Sequence, residues 1–137
     1  MAFITWSDEY SVNIREIDQQ HQQLIELINR MHDIVIAGGE TDKKRIRRVL
    51  LGLANYTNYH FYTEEELFRN HHYPMANVHK QQHNQLTIRL LALQRQFSAG
   101  DVLRNQDIFD FLKDWLVNHI LGSDKEYTVF LNAKGVF

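Results

Sequence analysis

Apolar side chains recur at steps of three and four residues along most of this 137-residue chain, the spacing of one buried face of an α-helix. A single proline and six glycines leave long stretches uninterrupted. The pattern therefore predicts an all-α protein. The predicted elements are an N-terminal arm over 1–17, helices at about 18–37, 42–70, 74–97 and 107–121, and a short helical turn from about 124.

Local signals set these boundaries. Asp18 has the side chain of an N-cap, and Gly38-Gly39 is expected to end the first helix. The other boundaries are a start near Thr41 or Asp42, a start at Pro74, a stop at Ser98-Ala99-Gly100 and a start near Asp107. The predicted inward stripes are His21, Leu24, Ile28, Met31 and Val35; Ile46, Leu50, Leu53, Thr57, His60, Glu64 and Leu67; His79, His83, Leu86, Leu90, Leu93 and Phe97; and Ile108, Phe111 or Leu112, Trp115 and His119.

The connections between the first three predicted helices are short, which favours antiparallel neighbours. The expected architecture is an up-down-up-down four-helix bundle with an irregular N-terminal arm, which Trp6 packs down. A length of 137 residues suffices for one hydrophobic core and is too small for two comfortable ones, so we expect a single domain over 1–137.

Composition narrows the chemistry. The formal net charge is −2 and the basic residues are scattered, which argues against nucleic-acid binding. Cysteine is absent, so a metal would be held by nitrogen and oxygen atoms. The chain shows neither a signal peptide nor a stretch long enough to span a bilayer, which predicts a cytoplasmic protein without membrane insertion.

Histidines and carboxylates fall on the inward faces of all four predicted helices. His60 and Glu64 are four residues apart, as are His79 and His83, so each pair lies on one helical face. The candidate metal ligands are His21, His60, Glu64, His79, His83, His119 and Asp124.

His119 and Asp124 are five residues apart, about 140° around an ideal helix, so an unbroken helix would point one of them away from the others. Two local structures would bring them together. Gly122 could end the helix, with Ser123 and Glu126 forming a capping box for a new turn. Alternatively, a π-bulge could carry both side chains to one side.

A single inward histidine is most often a hydrogen-bonded core residue, and each of the seven taken alone could be explained in that way. Together they would leave several polar groups buried and unpaired, which a bundle core tolerates only if something satisfies them. Two metal ions would do so, and iron, manganese, copper or zinc suits these ligands. His32 and His71 lie about 16 Å along the helix axes from the cluster, and we interpret them and His72 as structural.

The order of these residues resembles the hemerythrin family, in particular the single-domain bacterial hemerythrins (bacteriohemerythrins). The resemblance covers nearly the whole chain, and all seven ligand positions carry the residue types of the family. One departure is His71-His72 before Tyr73-Pro74, where a glycine often precedes the tyrosine; it affects a loop and no ligand. The motifs that carry the resemblance are Trp6, Ile17-Asp18 with His21, His60-Phe61 with Glu64-Glu65, Tyr73-Pro74, the His79 and His83 pair, and Trp115 with His119-Ile120 and Asp124.

The resemblance implies a non-haem di-iron centre with an oxo or hydroxo bridge. It assigns His79, His83 and His119 to one iron, His21 and His60 to the other, and Glu64 and Asp124 to both. The iron with two histidines is then one ligand short of octahedral coordination, and dioxygen is expected to bind there. The resemblance also implies that Leu24, Phe61, Trp115 and Ile120 line the dioxygen pocket.

The function implied is reversible dioxygen binding for storage, transport or delivery, in a protein that is not primarily an enzyme. One alternative is a di-iron enzyme, such as a peroxidase, an oxidase or a nitric-oxide-handling protein with weak activity at the same open site. A second alternative is an oxygen or redox sensor module. Which protein would receive the oxygen is left open by the sequence.

Overall fold

The computed structural model describes residues 2–38, 43–98 and 105–137, and the side chains of 38, 97, 98 and 105–108 lie outside this description. Its elements are a 3₁₀ turn at Asp8–Tyr10, α1 at Arg15–Gly38, α2 at Lys43–His71, α3 at Ala76–Ser98, α4 at Asn105–Asn118, a π-helical segment at His119–Asp124 and α5 at Lys125–Ala133.

Neighbouring helices of the bundle run antiparallel, as contacts at two levels show. Along α2 and α3, Phe61 stacks on His83 with ring centroids 3.7 Å apart, and Phe68 meets His79 at 5.0 Å, so residue numbers rise in one helix and fall in the other. The same reversal relates α4 to both α1 and α3. In α4, Phe109 contacts His32 and Phe111 contacts Arg89; in the π-helical segment that continues α4, Asp124 contacts His21 and His119 contacts His83. The predicted up-down-up-down bundle is confirmed.

The core of the bundle has two parts with different chemistry. Toward the ends of α1 and α4 that meet at His32 and Phe109, it is filled by aliphatic side chains, and we call this part the apolar half. Toward the π-helical segment the core is filled by polar donors, and we call this part the ligand half. The apolar half includes Ile28, Leu53, Leu86, Leu90, Leu112 and Leu116, all at most 5 % exposed.

The N-terminal arm is anchored more firmly than an irregular segment requires. Ile4 exchanges two hydrogen bonds with the side chain of Asn29, each 2.8 Å long, and its own side chain is 3 % exposed. Trp6 is half-buried against the core, as expected. Val12 and Ile14 are also buried, so the arm contributes to the same core as the helices.

Several predicted boundaries differ from those observed. Asp18 is not the N-cap of α1, which begins three residues earlier at Arg15. Its carboxylate instead accepts hydrogen bonds from Ser11 Oγ (2.5 Å) and the Val12 amide (2.8 Å). Asp18 therefore fixes the N-terminal arm to α1 and does not cap the helix. In the same way, α3 begins at Ala76, two residues after Pro74. The predicted turn from 124 is a helix of nine residues.

The inward stripes largely match the buried positions. Phe68, 1 % exposed, ends the stripe of α2, whereas Leu67 is half-buried. In α4 it is Leu112 that is buried, and Phe111 lies half-buried beneath the guanidinium of Arg89. The signals at Gly39, Thr41, Asp42 and Ala99-Gly100 and the side chains of Phe97, Ser98, Asp107 and Ile108 lie outside the described residues. Within the described ranges, no helix combines the length and apolarity needed to cross a membrane.

Candidate metal centre

The structure brings all seven candidate ligands together in the ligand half of the core. They come from α1, α2, α3 and the π-helical segment, so no two neighbouring helices could build the site alone. Each is buried, with exposures of 1 % for His21, 1 % for His60, 0 % for Glu64, 3 % for His79, 1 % for His83, 6 % for His119 and 0 % for Asp124.

The π-helical segment solves the problem of five-residue spacing between His119 and Asp124. The Lys125 amide bonds the carbonyl of Ile120, five residues earlier, which widens the turn. As a result, His119 Nε2 lies 2.9 Å from Asp124 Oδ1. Of the two predicted local structures, the π-bulge is therefore the correct one. The predicted helix end at Gly122, with a capping box of Ser123 and Glu126, is not observed, because the π-helical segment includes both Gly122 and Ser123 and runs into α5 without a break.

The donor atoms form two overlapping groups that share Glu64. In each group the potential ligand atoms lie within 4.8 Å of one another. One group contains three histidines and the other contains two. The groups are Glu64 with His79, His83 and His119, and Glu64 with His21, His60 and Asp124.

The two carboxylates lie between the groups. Asp124 Oδ1 is 2.8 Å from His79 Nε2, whereas Oδ2 is 3.0 Å from His21 Nε2, so the two oxygens of one carboxylate face different groups. Glu64 Oε1 is 3.0 Å from His60 Nε2 and 3.2 Å from His83 Nε2. This geometry is that of carboxylates able to bridge two cations.

Buried atoms without hydrogen-bond partners test whether the residues fit metal ions. In most buried sites polar atoms are paired, since an unpaired one costs free energy. Here most of the unpaired atoms are ones that would face a cation. They include Glu64 Oε1, His79 Nε2, His83 Nε2, His119 Nε2 and both oxygens of Asp124. Imidazole nitrogens and carboxylate oxygens, with no thiolate, suit iron.

Hydrogen bonds behind the ligands orient two of the imidazoles. His60 Nδ1 lies 2.7 Å from Gln20 Oε1, and His83 Nδ1 lies 3.1 Å from Glu65 Oε2. Both partner atoms only accept, so each Nδ1 carries a proton, and Nε2 is the ring nitrogen left to face a metal. By contrast, His21 Nδ1 is buried without a partner in the described part of the chain.

Sequence reasoning did not assign these outer partners. Gln20 reaches His60 from α1, and its amide also donates to Thr63 Oγ at 3.2 Å. Tyr127, from α5, donates a hydrogen bond of 2.6 Å to Glu64 Oε2. Of these partners, only Tyr127 could have been predicted from its spacing: it lies three residues after Asp124, about one helical turn, and therefore on the same face.

Electrostatics keep the buried carboxylates ionised. Burial and the charge of Asp124 raise the pKa of Glu64, but its contacts with His60 and His83 outweigh them and lower it below its ordinary value. Burial likewise opposes ionisation of Asp124, yet His119, His21 and His79 bring its pKa well below the usual range. The site therefore presents two negative charges in a buried environment.

An apolar cavity borders the ligand half. Its volume is about 20 Å³, and Leu24, Phe61 and Trp115 form part of its lining. The ring of Phe61 stacks on His83, and that of Trp115 stacks on His119 with centroids 4.5 Å apart. Ile120 is fully buried but lies outside the lining of this cavity in the described residues.

The remaining histidines lie apart from the centre. His32 stacks on Phe3 at 4.3 Å and contacts Phe109 edge-on at 4.9 Å, at the far end of the bundle. His71 is the last residue of α2, and His72 takes a left-handed turn conformation with φ of 57°.

Comparison with known families places the chain in a defined context. Residues 12–131 match the model of the hemerythrin HHE cation binding domain. A bacteriohemerythrin of Methylococcus capsulatus is 35 % identical over 134 residues, which cover 97 % of this chain and 100 % of that protein. A bacteriohemerythrin of Stenotrophomonas maltophilia is 33 % identical over 127 residues, covering 93 % of this chain and 80 % of that protein.

Solved structures agree in fold. The crystal structure of a wild-type hemerythrin superposes with a TM-score of 0.88 at 34 % identity, over 95 % of this chain and 98 % of that one. A mutant of hemerythrin gives a TM-score of 0.89 over 96 % of this chain.

Proposed function

The chain belongs to the hemerythrin family, and from this premise we propose that it binds dioxygen reversibly at a non-haem di-iron centre, for oxygen storage, transport or delivery. The observation that supports this function best is the pair of overlapping donor groups with one carboxylate in common. Such a donor set is built for two adjacent ions rather than one.

The assignment of ligands follows the distances. His79, His83 and His119 would hold one iron, and His21 and His60 would hold the other. Glu64 and Asp124 would bridge them, since each faces histidines of both groups. An oxo or hydroxo bridge would complete the pair. When bound, the two irons would supply the electrons that hold dioxygen and would recover them on its release.

The protein's own part is to leave one position open and to keep water from it. The group with two histidines has one imidazole fewer, so an open position would lie on that side if both carboxylates bridge the ions. Leu24, Phe61 and Trp115 line the adjacent cavity and would surround the gas. Water would thereby be kept from a site where it would promote irreversible oxidation of the irons.

The size of the cavity supports carriage rather than catalysis on an organic substrate. A volume of about 20 Å³ leaves room for little more than one small molecule, which suits a diatomic gas. We therefore propose that the protein is not primarily an enzyme acting on an organic substrate.

A metal assay combined with optical spectra tests the function. The purified protein should hold two irons per chain, gain an absorption band in air and lose it when oxygen is removed, over repeated cycles. His21→Ala should lose iron from the two-histidine group and with it the oxygen-dependent band. His32→Ala, at the far end of the bundle, is the matched control and should behave as the wild type.

Two outcomes would contradict the proposal. An absorption band that persists after oxygen is removed would show that the irons are oxidised rather than carrying dioxygen. Sustained turnover of hydrogen peroxide, faster than the slow oxidation of the protein itself, would instead favour a di-iron peroxidase.

A further inference from the structure

Tyr127 is the one phenol in direct contact with a candidate bridging ligand in the described residues. Its hydroxyl donates to Glu64 Oε2 across 2.6 Å, and both side chains are 0 % exposed. The contact joins α5 to α2 over 63 positions of the sequence. A short hydrogen bond between a neutral donor and an ionised acceptor is stronger than an ordinary one.

Packing fixes the phenol in this position. The ring of Tyr127 lies 5.1 Å from Phe68, 5.5 Å from His79 and 6.3 Å from Tyr73. These contacts hold the hydroxyl in place as a donor to the Glu64 carboxylate.

The hydrogen bond makes the two oxygens of Glu64 unequal. Oε1 lies near His60 and His83 but has no hydrogen-bond partner among the described residues, whereas Oε2 accepts the hydrogen bond from Tyr127 and lies 3.7 Å from His79 Nε2. A donated proton withdraws electron density from the oxygen that receives it. The carboxylate then stabilises high charge on an adjacent ion less well.

We propose that Tyr127 is a positioning residue that holds Glu64 in its bridging orientation and raises the reduction potential of the metal centre. The inference rests on the proposed function, because it requires a redox-active metal pair bridged by Glu64. A higher potential favours the reduced ions that bind dioxygen over the oxidised ions that do not. The Tyr127 hydroxyl thereby favours the reduced form of the metal centre, which is the form that binds dioxygen.

Tyr127→Phe removes this hydroxyl and keeps the ring contacts. The midpoint potential of the iron-loaded variant should fall by about 59 mV, which corresponds to a tenfold change in a one-electron equilibrium. The matched control is Tyr73→Phe, which removes a hydroxyl from the adjoining ring and leaves the contact with Glu64 intact. Its potential should equal that of the wild type.

Replacing Tyr127 by a fluorinated tyrosine provides a second test if the phenylalanine variant fails to fold or to load iron. The fluorinated phenol is more acidic and donates a stronger hydrogen bond, so the potential should rise above that of the wild type. A purely structural role for Tyr127 would not produce shifts of opposite sign in two variants of nearly the same shape.

The results separate this inference from the proposed function. A wild-type protein that binds no iron or no dioxygen would defeat the function itself. A wild-type carrier whose potential is unchanged in the Tyr127 variants, or shifts equally in Tyr73→Phe, would overturn only the role of Tyr127.

Discussion

The two halves of the bundle core differ in what they contribute to stability. In the apolar half, side chains such as Ile28, Leu53 and Leu90 are buried against one another, which stabilises the fold by removing apolar surface from water. In the ligand half, buried nitrogen and oxygen atoms lack partners within the protein. Burial there costs free energy unless cations bind. The apolar half therefore stabilises the bundle, whereas the stability of the ligand half depends on bound cations.

Removing the metal should change the stability of the protein more than any of the substitutions below, because it acts on the whole ligand half. Ions that bind only the folded state stabilise it by about 4 kcal/mol at a thousandfold excess over their dissociation constant. Treatment with a chelator should therefore lower Tm by at least about 10 °C, measured by circular dichroism. Equal Tm values with and without metal would show that the ligand half is stable by itself.

Leu90→Ala probes the apolar half. Truncating a leucine that is 3 % exposed should cost about 2–5 kcal/mol, because it removes buried apolar surface and leaves a cavity. Chemical denaturation should show the same loss in the metal-loaded and the metal-free protein. A loss confined to the loaded protein would mean that the two halves are not independent.

Glu65→Gln probes the support of a single ligand. Glu65 lies 3.1 Å from His83 Nδ1, and weakening this contact should lower iron affinity by about 10- to 100-fold. Competition with a chelator measures the change. Glu66→Gln is the matched control, since Glu66 pairs with the exposed Arg69 at 2.6 Å instead of with a ligand. An equal loss of iron affinity in both variants would show that the removed negative charge, and not the contact with His83, causes the loss.

Gly122→Ala should have the smallest effect, although it lies between two ligands in the π-helical segment. No atom beyond the local helix backbone lies within 4 Å of an added Cβ, and the backbone of Gly122 is not in the left-handed region. Stability should rise by up to about 1 kcal/mol, the usual gain of alanine over glycine in a helix. Iron content should stay the same; a loss of iron would show that the wide turn requires glycine.

The fold was largely predictable because helical periodicity reports burial directly. Each inward stripe followed from apolar spacing, and the short connections restricted how the helices could be arranged. The errors occurred where a side chain had a choice of partners. Asp18 has the chemistry of an N-cap, but only the folded arm shows that it accepts hydrogen bonds from Ser11 and Val12.

The candidate ligands were predictable for a similar reason. His60 with Glu64, and His79 with His83, are four residues apart, and this spacing alone places each pair on one face of a helix. The spacing of His119 and Asp124 left two local structures open. A hydrogen-bonding pattern five residues long decided between them, and it is visible only in the folded backbone.

What the sequence alone determined is the set of donors and the helices that carry them, because both depend on spacing along one chain. What the tertiary structure decided is which atom faces which: the two oxygens of Asp124 toward different histidines, and Gln20, Glu65 and Tyr127 behind the ligands. These contacts join residues distant in sequence. Their geometry depends on how the helices pack, which no local pattern encodes.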